Sequence, residues 1–68
     1  MQGNRDIEEI VLIMHDGDKY TIDGILDEII DVRLDRKMNV WVVETENHDY
    51  IFDSSSTKYL SVAYREDY

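Results

Sequence analysis

The groups in this chain that could do chemistry are sixteen carboxylates, two histidines and a run of serines. The most suggestive spacing is DGDKYTIDGILD, residues 16–27, with acids at its first, third and twelfth positions. A calcium loop also needs an oxygen ligand at position five, a glycine at six and a bidentate Glu at twelve, and all three are missing here. A hairpin turn is the better account of Asp16 and Asp18. His15 and His48 each stand beside a turn with an aspartate next door, so two hairpin ends could bring them to one metal. Two surface histidines are the simpler reading, and neither a metal nor a cofactor is expected. Paired carboxylates do acid–base work when their environments separate their pKa values. So many acids in so short a chain make close pairs without that purpose, and a domain this small has little interior in which to bury one. The serines of DSSST lack the surroundings that make a serine nucleophilic. The expectation is a binder, not an enzyme.

Charge narrows what could be bound. Sixteen acids against seven bases leave −9 on 68 residues. Such a field repels nucleic-acid phosphate and anionic membranes and attracts basic surfaces, including those that normally hold DNA or RNA. Arg33, Arg36 and Lys37 are the one basic cluster, and they sit amid acids, whereas sequence-independent phosphate binding needs several cations. The five tyrosines and Trp41 are therefore read as core, and neither direct nucleic-acid binding nor membrane binding is expected. The acids also have a plainer use, because added Asp and Glu are good solubilisers.

Length allows one domain over residues 1–68, with residues 1–5 expected to be a flexible N-terminus. A chain this short buries only about 60% of its unfolded surface, so its stability margin is thin and self-association would help. Hydrophobic content of 43%, rich in Ile, Val and Tyr, argues for folding despite the charge. There is no cysteine, hence no disulfide or thiolate metal site. The longest apolar run, IVLIM at residues 10–14, is far below the roughly 20 residues that span a bilayer. The N-terminus lacks the basic start and apolar core of a signal peptide. A soluble cytoplasmic protein is expected.

The elements that must position these groups read mostly as strands. IEEIVLIMH, residues 7–15, ends at DGD, where Gly17 can take the positive φ of a tight hairpin. KYTID, residues 19–23, returns with Tyr20 and Ile22 on one face, and Gly24 breaks or bends the chain. The first strand is apolar on both faces, as a strand covered on both sides would be. DEIIDVRLDR, residues 27–36, fits a helix best over 24–31, but alternates cleanly as a strand from Ile30 to Asp35. A strand over about 28–36, after a short helical turn, is favoured. RKMN, residues 36–39, makes a turn, and VWVVETE is a confident strand. NHD turns into a short YIF strand, Asp53 or Ser54 could cap one helical turn, and YLSVAYRE closes the chain. The expected core includes Val11, Ile13, Ile22, Val32, Leu34, Val42 and Leu60.

Five or six short antiparallel strands with one helical turn describe an all-β fold, a small SH3-like or Sm-like barrel or curled sheet. This is a resemblance of architecture and rests on no family motif. Two functions fit it. In the first, the chain is an inhibitor that offers carboxylates where a target expects phosphates. Asp27, Asp31 and Asp35 would form its exposed row, extended by Asp23, Glu44 and Glu46. In size and charge alone, the chain resembles small acidic phage-encoded inhibitors of restriction or CRISPR nucleases. In the second, it is a structural or accessory module that assembles through apolar strand faces, or an oligomer that sequesters a small ligand between subunits. A homodimer or higher oligomer is expected, from a first strand apolar on both faces in a chain too short to cover it.

Overall fold

A computed structural model describes residues 6–65, so the expected flexible segment 1–5 lies outside the described residues. The chain opens with a hairpin, β1 (Ile7–Met14) and β2 (Lys19–Asp23). Gly17 takes φ +97° at its tip, a conformation that costs a glycine little. The Asp16 carboxylate accepts the Asp18 amide at 2.9 Å, so the Asp16 side chain serves the turn. β2 stops where the Asp23 carboxylate accepts the Ile25 amide at 2.8 Å and the Asp27 amide reaches back to Asp23 O at 3.2 Å. The helix-like pattern of residues 24–31 amounts to this single turn. The expected strand follows as β3 (Ile29–Asp35).

A turn with Asn39 at φ 58° leads into β4 (Val40–Thr45). Asp35 closes that turn, its carboxylate accepting the Lys37 and Met38 amides at 3.0 and 3.1 Å. β5 (Asp49–Asp53) runs into a 3-10 turn at Ser54–Ser56, capped by the Asp53 side chain. β6 (Thr57–Tyr64) then returns antiparallel to β1.

All six strands belong to one strongly curled antiparallel sheet, a half-barrel, as the expected all-β barrel or curled sheet requires. Its order is β2-β1-β3-β4-β5, with β6 on the other side of β1. β1 meets β3 only at Ile7 and Ile29, where β2 has already turned away. The sheet folds over at that joint into two halves, β6–β1–β2 and β3–β4–β5. Gly24 sits in the joint, its amide donating to Glu8 O at 2.8 Å. Ile10, Leu12 and Ile22 from one half pack on Ile29 and Val43 from the other.

The core corrects several expected positions. Ile22 and Val42 are buried, and Val32 and Leu60 pack partly buried against the central cluster. β1, however, turns Ile10 and Leu12 inward and leaves Val11 and Ile13 half-buried on the outer side. Alternation could not choose between two apolar faces; the neighbouring strands do. Ile10 stands between Ile22 and Val62, and Leu12 between Tyr20 and Leu60, while Val11 faces Thr21 and Ser61. Leu34 remains 38% exposed near the end of β3. Val42 is buried outside the central cluster, on the outer face between Arg33 and Ile51.

Candidate binding surface

Antiparallel register builds the outer face of β3–β4–β5 in rows. Asp31 stands opposite Glu44, which stands opposite Asp49. The next row is Arg33, Val42 and Ile51, and the last is Asp35, Val40 and Asp53. Strands lie about 4.8 Å apart, and four residues along a strand advance about 13 Å. Two acidic rows therefore frame a strip holding one cation and two aliphatic side chains. Ile51 is 64% exposed at the open end of that strip. Arg33 spans toward the first acidic row, 2.9 Å from the Asp31 carboxylate and 3.4 Å from Glu44. The Asp31 hydrogen bond, then Glu44, holds the guanidinium more firmly in its charged form. These pairs are exposed and worth little to stability, so they orient Arg33 more than they hold the fold. One cation against five carboxylates leaves the face strongly negative.

A bulge at the start of β3 decides which side Asp31 takes. Ile29 pairs with Thr45 and Asp31 with Glu44, so Ile30 is the extra residue and is left exposed. The extra residue resets the alternation. Ile29 and Val32 point inward while Asp31 and Arg33 point outward.

The three aspartates expected in one row do three different things. Asp31 faces solvent beside Arg33, and Asp35 is half-buried over the turn it closes. Asp27 is turned toward the β4–β5 turn, its side chain only 16% exposed. The buried Thr45 hydroxyl donates to the Asp27 carboxylate at 2.7 Å and accepts the His48 amide at 2.9 Å. Asn47 donates to the same carboxylate from its side chain at 2.9 Å and its backbone at 3.2 Å. His48 Nδ1 lies 3.1 Å away, its ring tilted against Tyr50 at 5.8 Å. The Thr45 hydroxyl first, and His48 next, hold the Asp27 carboxyl below its ordinary pKa. Asp27 therefore ties the β2–β3 turn to the β4–β5 turn.

Of the other expected contact residues, Glu44 joins Asp31 on the outer face. Asp23 is exposed at the end of β2, and Glu46 is exposed in the β4–β5 turn, where its amide donates to Glu28 O at 2.9 Å. Asp49 and Asp53, absent from the expected row, complete the face. The alternating acids of DYIFD were the available signal, and a tight turn after β4 sets them against residues 44 and 40.

His15 lines a shallow cavity of about 320 Å³ with Met14, Asp16, Asp18, Tyr20 and Ser56, whereas His48 belongs to the Asp27 network. The two histidines do not share a site. Among the described residues, no group of three or more His, Cys, Asp or Glu side chains is placed to hold a metal ion. None of the described helical segments is long and apolar enough to cross a membrane. A second cavity, about 230 Å³, opens between β2 and β5 and is lined by Ile22, Leu26, Asp27 and Tyr50. Between the same strands, the Tyr20 and Phe52 rings pack at 5.6 Å. No protein-family model matches the chain, and neither the curated proteins nor the solved structures include a match to it.

Proposed function

We propose that this chain is a non-enzymatic cytoplasmic binding protein that blocks a basic, nucleic-acid-holding surface of a partner protein with its outer β3–β4–β5 face. The observation that carries the reading is the framed strip: acids of Asp31, Glu44 and Asp49 on one side, Asp35 and Asp53 on the other, with Val42 and Ile51 between. Carboxylates about 4.8 Å apart along a row approach the charge density of a phosphate strand, one per about 3.4 Å. An aliphatic centre inside a charged rim also follows the usual layout of a protein contact, apolar where water is expelled and polar around it. Direct binding to nucleic acid is disfavoured by the same charges, so the partner is a protein.

The test uses two affinity columns, one carrying the wild-type chain and one carrying Asp31→Asn, Glu44→Gln and Asp49→Asn together. All three side chains lie on the outer face, so the variant keeps the fold, which circular dichroism checks. A host extract passed over both should leave basic proteins on the wild-type column alone. Those proteins should elute with salt, because screening weakens a charge-driven contact, and with added DNA or RNA, because the face stands in for phosphates. Equal retention on both columns, or elution indifferent to nucleic acid, refutes the reading.

A further inference from the structure

The sixteen acids are not spread evenly. Residues 54–65 form the longest stretch without one, and within it lies the whole of β6, whose only charge is Lys58. Among the described residues β6 pairs only with β1, so along Tyr59–Ala63 its other edge carries backbone groups with no described strand beside them. Proteins usually guard such an edge with charge, proline or brevity. β6 is eight residues long, has no proline, and its one lysine lies at the irregular step between Thr57 and Tyr59. The remaining edges differ. β5 has Asp49 and Asp53 at its two ends, and β2 borders the cleft lined by Asp23, Leu26, Asp27 and Tyr50. For two copies that each carry −9, β6 is the strand along which they can meet without setting carboxylates against carboxylates.

From this we infer that β6 pairs antiparallel with β6 of a second copy about a two-fold axis at Ser61, making one six-stranded sheet from the two β6–β1–β2 halves. In that register Leu60 lies opposite Val62 of the partner copy on the inner side. Both are half-buried and already packed on the core cluster, so the contact covers the flank that a terminal strand leaves open. On the outer side, exposed Tyr59 lies opposite Ala63, a large side chain against a small one. A two-fold contact must complement itself, and these pairs do so. The inference does not depend on the acidic face, which lies on the other half of the sheet.

Because the chain has no cysteine, single substitutions report the contact cleanly. Ser61→Cys should form a disulfide-linked dimer under mild oxidation, since residues at the axis of an antiparallel pair have Cα atoms about 4.5–5.5 Å apart. Thr21→Cys on β2 and Ile51→Cys on β5 should not. All three side chains are exposed, so folding is preserved. Sedimentation equilibrium of the unmodified chain should show a monomer–dimer equilibrium that tightens several-fold from low to high salt, because screening removes repulsion between acidic bodies. A chain that stays monomeric to millimolar concentration, or cross-links at residue 21 or 51 in place of 61, overturns the inference.

Discussion

Replacing Gly24 with alanine should be among the most damaging small changes in this chain. A Cβ at that position would fall on Ile7 O, with Glu8 O at 3.0 Å and Ile29 Cδ1 at 3.2 Å. Two of these obstacles are backbone carbonyls of β1, which cannot rotate aside. One of them, Glu8 O, accepts the Gly24 amide, so moving away loosens the hydrogen bond that anchors the joint. Forced overpacking costs about 1–3 kcal/mol, and immovable obstacles place this case at about 2–3 kcal/mol. Unfolding entropy near 2.1 cal/mol/K per residue gives about 140 cal/mol/K for the chain, so the melting temperature should fall by about 15–20 °C. A domain of this size has only about 3–10 kcal/mol to lose. Gly17→Ala is the control: its added Cβ meets nothing within 4 Å, and only the φ of +97° is strained, for about 1–2 kcal/mol. Thermal melts by circular dichroism measure both, and amide shifts at Ile7, Glu8 and Ile29 should mark the Gly24 variant alone. A Gly24→Ala melt within about 3 °C of wild type would refute the claim that β1 and the β2–β3 joint touch at backbone distance.

Leu12→Ala should cost about 2–5 kcal/mol in urea denaturation. Ile13→Ala, one residue along and on the outer side, should cost about 1 kcal/mol; the reverse order would mean that β1 is turned over. Asp27→Asn should lower the melting temperature at neutral pH by weakening the tie between two turns. The Asp27 carboxyl is depressed in the folded state, so its contribution is present above the ordinary carboxylate range and is lost as pH falls through the lower folded value. Wild type should therefore lose stability from about pH 5 downward more steeply than Asp27→Asn, and parallel melting curves for the two would discount the network.

What could be read from the sequence was local, and what could not depended on distant neighbours. DGD, NHD and the β-branched run around Trp41 carry their geometry within a few residues, so hairpins and strands appeared where expected. Asp53 as the cap of the 3-10 turn is local in the same way. The inward side of β1 was not local, because its two faces are equally apolar and residues 20–22 and 60–62 decide between them. Asp27 looked like a surface acid by its spacing from Asp31 and Asp35. Its real partners, Thr45, Asn47 and His48, lie 18 to 21 residues away and meet it only after β3 and β4 have paired. The bulge at Ile30 broke the regular four-residue spacing that had suggested a single row. Asp49 and Asp53 enter the candidate face for the same reason, since register across a hairpin is invisible until the turn is known.

The acidic face and the β6 edge belong to different halves of one curled sheet, which gives the two proposed contacts a definite relation. The inner faces of the halves meet at the core, so their outer faces point away from each other. A pair joined along β6 would leave both β3–β4–β5 faces open, one on each copy, and each would engage its own partner. Where a target presents two basic sites at a matching separation, the second contact becomes intramolecular and apparent affinity rises without any new residue. The two proposed contacts should also answer salt in opposite directions. Screening strengthens the meeting of like-charged copies and weakens the attraction of an acidic face to a basic one. Binding to a two-site target should therefore fall with salt less steeply for the wild type than for a chain held monomeric by a lysine in place of Ser61, because dimer formation offsets part of the loss. Titrating both chains against one partner across a salt series measures the difference. Equal slopes would show that the β6 contact and the acidic face do not act together.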